Sequence, residues 1–241
     1  MYKRQVPYYK AFVKKFPTIR ALAHSSLGEV LKSWQGLGYN RRAKMLHEAA
    51  KKVVQEFGGK MPKEVETLES LPGIGPYTAR AVAAFAYNTD VIFIETNIRT
   101  AIIHAFFSPS ELKRKHTPRT DMIYHISSIS DAQIKEVLEK VYPTGRAREW
   151  YGALMDYGAY LKRSGVRLNA LTKGYAKQSA FDGSLRQVRG GVLRRLSEGG
   201  ASHAALKKLF PVERSAQVTA SLTALTQEGL IAKKGTTYSL P

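Results

Sequence analysis

The stretch Leu71-Pro72-Gly73-Ile74-Gly75-Pro76-Tyr77-Thr78-Ala79 decides how this chain reads. Pro72 cannot continue a helix. The two glycines permit positive φ and a close approach of backbone to backbone. Residues 64–70 before it have helical patterning, and the Ala-rich residues 76–87 after it make a second helix that starts at Gly75. The first N–H groups of a helix have no partner within it, and together with the helix dipole they attract phosphate. Such a contact places a protein on a nucleic-acid backbone without reading bases. A lone Gly-x-Gly would be an ordinary corner between helices. The longer string, in helix–hairpin–helix spacing, makes Gly73, Ile74, Gly75, Tyr77 and Thr78 candidate DNA contacts.

Outward from the hairpin the pattern stays helical. On the N-terminal side, residues 6–57 read as helices with short breaks. Pro17-Thr18 precedes one, and Ser25-Ser26 can cap the next, 27–35. In 41–57 the apolar positions Ala43, Leu46, Ala49, Ala50, Val53, Val54 and Phe57 recur at helical spacing, and Gly58-Gly59 stops them. On the C-terminal side, a short apolar run, Val91-Ile92-Phe93-Ile94, leads through Glu95-Thr96-Asn97 into a helix at 98–107. Further helices are predicted near 120–129, 131–141 and 148–161. The apolar period fades over 163–183, where Gly165, Gly174 and Gly183 interrupt a basic stretch that reads as a linker or strap. Residues 184–241 then read as a unit of their own. Helices at 185–196, after Ser202 and at 213–227 precede two strands, 229–232 and 237–240, with Lys233-Lys234-Gly235-Thr236 between them. Three helices and a basic hairpin describe a small winged helix-turn-helix of α+β type.

Charge names the kind of partner. There are 38 Lys plus Arg against 19 Asp plus Glu, a net +19, which suits a polyanion such as double-stranded DNA. Hydrophobic residues at 44% exclude a disordered chain. No apolar run is long enough for a transmembrane helix. No basic amphipathic helix stands apart as a membrane binder, and no secretory leader is visible. With no cysteine, disulfides, thiol catalysis and thiolate-held metals are excluded, and the six His show no ligand spacing. A DNA-bound monomer in the cytoplasm, at a bacterial nucleoid, is the expected setting.

These residues resemble the helix–hairpin–helix DNA glycosylases of the endonuclease III superfamily, most closely those specific for adenine in A/G mispairs. The likeness runs through Gly36-Leu37-Gly38-Tyr39, Arg41-Arg42-Ala43-Lys44-Met45-Leu46-His47, Leu71 to Ala79, Glu95-Thr96-Asn97 and Leu154-Met155-Asp156-Tyr157-Gly158-Ala159, in family order over roughly residues 5–161. It implies an all-α, two-lobed domain over 1–162 with a base-binding cleft, a basic linker over 163–183, and the winged helix over 184–241. It also implies a target nucleotide rotated out of the stack, further DNA contacts from Tyr39, Arg41 and Arg42, and a monovalent cation on the carbonyls of Leu71, Gly73 and Gly75.

Breaking an N-glycosidic bond builds positive charge on the sugar, which a nearby carboxylate stabilises. The family places an Asp about twenty residues past the hairpin, and here that position holds Glu95. Glu adds one methylene, and a misplacement of about 1 Å costs roughly 100-fold in rate. Asn97 and Tyr77 also match site positions. Glu95 and Asn97 each have a plainer reading as helix-capping residues, and Tyr77 as a packing aromatic. Tyr77 stands where bifunctional relatives carry a Schiff-base lysine, so simple hydrolysis is expected. Asp156 reads as a structural acid. The family's general-acid Glu and an intercalating Gln lie on a helix before the matched segment. Met1-Tyr2-Lys3-Arg4-Gln5 is what a common transposon-end sequencing adapter encodes, so the chain is expected to be a fragment from assembled environmental DNA. The family's iron–sulfur cysteines are missing from 162–175, where Lys162, Arg163, Arg167 and Lys173 are candidate phosphate contacts, and the family's domain that reads oxidised guanine is replaced by the winged helix. Asn40 stands where adenine glycosylases often insert a second Tyr. The leading expectation is a monofunctional glycosylase that removes adenine opposite G or 8-oxoguanine. A thymine or uracil mismatch glycosylase and a non-catalytic DNA binder are the alternatives.

Overall fold

The computed structural model describes residues 2–107, 129–172 and 180–241, with side chains from Gln5 onward. In chain order the described helices are α1 (Tyr2–Lys15), α2 (Ile19–His24), α3 (Leu27–Ser33), α4 (Arg41–Phe57), α5 (Val65–Glu69), α6 (Pro76–Tyr87), α7 (Thr96–Phe106), α8 (Asp131–Val141), α9 (Ala147–Arg163), α10 (Leu185–Glu198), α11 (His203–Lys207) and α12 (Ser215–Gln227). The strands β1 (Ala201–Ser202), β2 (Ala232–Lys234) and β3 (Thr237–Ser239) form one antiparallel sheet in the order β1-β3-β2. Among the described residues no helix is long and apolar enough to cross a membrane. The helix expected at 120–129 lies almost wholly outside them, as does Lys173. Two compact units emerge: Met1–Pro62 with Leu71–Gly73 and Gln178–Pro241, and Lys63–Ser70 with Ile74–Lys177.

In the first unit the turns are set by short polar side chains. Thr18 Oγ1 accepts the Ala21 N–H at 3.0 Å to start α2. Ser26 and Glu29 close a capping box on α3. Gly58, at φ 60°, ends α4. Ala43, Ala49, Ala50 and Val53 are buried on the face of α4 that the sequence reading gives, and one position departs from it. Leu46 is exposed, and His47 is buried with Nε2 donating to the Ser25 carbonyl at 3.0 Å.

The C-terminal elements run α10–β1–α11–α12–β2–β3, the order expected of a winged helix. The strands differ from the reading. β1 was not anticipated, and Leu230 and Ile231, placed in a strand from sequence, are instead buried below the end of α12 with both N–H groups aimed at the Leu225 carbonyl. The expected boundaries at 162 and 184 also do not follow the compact units. Val30, Leu31 and Ala43 share one continuous core with Val188, Val192, Leu193, Leu206, Val218 and Leu222. Three short helices and a three-stranded sheet leave an apolar face open, and the N-terminal helices cover it. Two polar bonds cross the join: Lys44 Nζ donates to the carbonyl of Glu228, whose carboxylate Arg189 of the C-terminal part grips at 2.6 and 3.0 Å, and the Gly28 N–H donates to the Pro241 carbonyl at 3.1 Å.

The second unit packs α7 against α9 around buried Ile98, Ile102, Ile134, Leu138 and Tyr151. A Cβ at Gly158 would overlap the Asn97 carbonyl, so only glycine lets α9 lie on the first turn of α7. Residues 163–172, expected as part of a linker, are packed. Leu168 and Leu171 are buried, each such burial stabilising by about 1.5–3 kcal/mol. Asp156 is exposed in the middle of α9 and takes no turn or capping position.

Candidate active site

The hairpin between α5 and α6 uses its glycines differently. Gly73 has φ 75°, and a Cβ there would lie 2.5 Å from Met45 Cβ, so the turn demands glycine. Gly75 has an extended φ of −90° and nothing within 4 Å of a Cβ, so of the two glycines only Gly73 uses the freedom that both permit. Gly75 is the N-cap of α6 and lacks a side-chain cap, and Pro76 occupies the first turn, where a missing N–H costs nothing. The Gly75 carbonyl accepts the Ala79 N–H at 3.0 Å and so joins the helical ladder.

Tyr77, half exposed on α6, packs edge-on against Phe93 with ring centres 5.8 Å apart. Phe93 in turn lies 4.1 Å from the ring of buried Tyr151. The Tyr151 hydroxyl donates to the Val91 carbonyl at 2.8 Å and accepts the Phe93 N–H at 3.3 Å. Burial pushes its phenol up to about 12, so it stays a donor. Asp90 accepts the Gly145 N–H at 2.9 Å and the Tyr142 hydroxyl at 3.0 Å. The whole α6–α7 connection is thus tied to α9 and the loop before it, and it delivers Glu95 to the start of α7.

Glu95 is the N-cap of α7 and is half-buried. Its Oε2 accepts the Asn97 N–H at 2.6 Å, and its Oε1 accepts the Thr96 hydroxyl. Each carboxylate oxygen keeps a further lone pair, so capping and chemistry are compatible. Asn97 does not cap the helix. Its Oδ1 accepts from Lys162 Nζ of α9 at 2.7 Å. Burial pushes the Lys162 ammonium below the usual lysine range; Glu95 pulls it back up, and Arg99 and Arg167 push it further down. Asn169 donates to the Thr96 carbonyl at 3.3 Å and steadies the same turn. The structure therefore gathers Glu95, Asn97 and Lys162 on one helix start, with Tyr77 linked to it through Phe93. Tyr39, Arg41 and Arg42 belong to the other unit and are exposed, Tyr39 in the strained left-handed region at φ 49°.

The iron–sulfur cluster implied by the resemblance does not fit the residues present. The chain has no thiol, Lys162 is turned to Asn97, and Leu168 and Leu171 fill the core beside them.

The profile of the HhH-GPD superfamily of base excision DNA repair proteins matches residues 2–148. The chain belongs to that superfamily. This HhH-GPD chain is 46% identical over 102 residues to the adenine DNA glycosylase of Mycolicibacterium smegmatis, covering 42% of the chain and 35% of that protein. It is 45% identical over 94 residues to the adenine DNA glycosylase of Homo sapiens, covering 39% and 17%. Against that of Buchnera aphidicola subsp. Baizongia pistaciae it is 31% identical over 163 residues, covering 66% and 41%. The chain thus spans well under half the length of these relatives. A solved thermostable thymine-DNA glycosylase superposes with a TM-score of 0.50 at 24% identity, covering 64% of this chain and 65% of that one, which speaks to the fold alone.

In this HhH-GPD chain Lys162, a candidate phosphate contact by sequence, bonds Asn97 beside Glu95. A signal was available. Lys162 falls four residues after Gly158, on the face of α9 where the missing side chain admits α7.

Proposed function

We propose that this chain carries the base-excision site of a DNA glycosylase that hydrolyses the N-glycosidic bond of adenine mispaired with G or 8-oxoguanine. The observation that carries it is the Glu95 carboxylate, fixed at the first turn of α7 beside Asn97 by two hydrogen bonds. A negative charge held there stabilises an oxocarbenium-like sugar as the base departs, and it needs no reorganisation at that moment. The similarity to proteins named adenine DNA glycosylase, up to 46% identity, supports adenine as the base. Tyr77 offers no amine, so water takes the anomeric carbon and an abasic site results. The hairpin at Gly73–Gly75 and the net charge of +19 support duplex DNA as the partner. A monovalent cation held by the Leu71, Gly73 and Gly75 carbonyls belongs to the same proposal; Gly75 would use its remaining lone pair.

The test, on a protein that joins this chain to the family's general-acid helix, is alkali-revealed strand cleavage of duplexes holding A:8-oxoguanine, A:G, T:G or U:G. Cleavage confined to the two adenine duplexes is expected, and Glu95→Gln should lower it at least 100-fold with duplex affinity retained. Cleavage confined to T:G or U:G overturns the adenine assignment. Full turnover in Glu95→Gln removes the carboxylate from its role.

A further inference from the structure

We propose that Lys162 is a positioning residue of this site, holding the Asn97 side chain with its oxygen toward α9 and leaving its amide N–H groups to the nucleotide. The inference rests on the excision reading above. A protonated amine has three donors and no acceptor, so at 2.7 Å it can face only Oδ1 of Asn97. The usual ambiguity between amide oxygen and nitrogen is therefore removed by chemistry. With Oδ1 committed to Lys162, Nδ2 is the arm that donates. It sits two residues beyond the Glu95 carboxylate, on the same helical turn. A donor in that place suits an oxygen of the sugar or its phosphate.

Three features show that Lys162 is held for this contact. Gly158, one turn earlier, brings α9 onto the Asn97 backbone, which shortens the span the lysine must cross. Arg167 donates to the Lys162 carbonyl at 2.6 Å and fixes the end of α9. Arg99, the other cation of this helix start, is occupied by a bidentate pair with Asp131 at 2.8 Å from each oxygen and does not compete for Asn97. The partial burial of an ammonium group is costly, and the attraction of Glu95 offsets part of that cost.

The experiment uses the same protein carrying the general-acid helix, with Lys162→Met, Lys162→Arg and the wild type. In single turnover on A:8-oxoguanine duplex, Lys162→Met should lose about 10- to 100-fold in kcat with KM changed less than about twofold. Lys162→Arg, which also only donates, should recover most of the rate. The chain has four asparagines, so their side-chain amides are resolvable by nitrogen-15 NMR. The Asn97 pair should move toward free-amide shifts in Lys162→Met, hold in Lys162→Arg, and leave Asn40 and Asn88 in place. An Asn97 signal indifferent to Lys162→Met overturns the proposal, and so does an unaltered rate. A wild type inactive on every duplex, with the Asn97 signal still lost in Lys162→Met, sinks the excision reading while supporting the hold on Asn97. Borohydride trapping on a duplex already containing an abasic site, if it yields an adduct on Lys162, makes the amine a nucleophile and overturns the positioning role.

Discussion

Gly158→Ala probes the spacing on which the site depends. An added Cβ would lie 2.6 Å from the Asn97 carbonyl carbon and 2.8 Å from its Cα, besides overlapping the oxygen. Ordinary contact is about 3.5 Å; the carbon alone demands roughly 0.9 Å and the still closer oxygen more, so α7 and α9 must separate by more than about 1 Å. The obstacle is backbone, which cannot swing aside as a side chain does. The cost should reach the upper end of the overpacking range, about 3 kcal/mol, and for a chain of this length that lowers Tm by about 6–12 °C. The same shift carries Glu95 and Asn97 away from Lys162 and should reduce excision about 100-fold. Gly152→Ala, on the same helix, meets nothing within 4 Å. It should stabilise the helix by about 0.5–1 kcal/mol and leave the rate alone. Calorimetry and single-turnover excision check both variants. A Gly158→Ala protein that melts and turns over like wild type refutes the close-approach argument, and a damaging Gly152→Ala refutes its localisation.

Two further outcomes follow from the other unit. Burial is the main cause that pushes the His47 imidazole below its ordinary value, so between that lowered value and about 6.5 the unfolded chain binds more protons than the folded one. Stability should therefore be intact above about pH 6.5 and fall as the pH drops below it; His47→Gln, which can keep a donor toward Ser25, should flatten that part of a Tm-versus-pH curve. Gly73→Ala must adopt φ 75° against Met45, at a cost of about 1–3 kcal/mol, whereas Gly75→Ala should fold normally. A gel-shift loss of duplex binding in Gly75→Ala with an unchanged melting curve would assign that glycine to an external contact, and a Gly73→Ala protein of wild-type stability would contradict the turn described.

Local signals were legible in proportion to how much of their cause is local. α4 and α6 appear at the residues expected, because Gly58 accepts the left-handed C-cap of α4 and Pro76 is preset for the first turn of α6. The nearness of Glu95 and Asn97 is legible because they share one turn. The bond between Asn97 and Lys162 spans 65 positions and depends on a glycine in a third place, which no window of sequence displays. On α4 a single position departs: His47 buries once the Ser25 carbonyl satisfies its nitrogen, while Leu46 remains exposed. The shared core of the first unit was hidden for a different reason. An amphipathic helix reveals that it has an inner face but not what covers it.

That shared core has a consequence for synthesis. The described residues of the second unit, 63–70, 74–107 and 129–172, can consolidate before the C-terminal helices are made, since their partners lie within that unit. Val30, Leu31 and Ala43 must wait for α10, roughly 120 residues past Pro62. At about 5–20 residues per second, that is on the order of 6–25 s with a greasy surface uncovered. A nascent chain stalled or cut before residue 185 would keep Glu95, Asn97 and Lys162 and lose the C-terminal part of that oily interior, which makes translation speed a determinant of how much soluble protein is recovered.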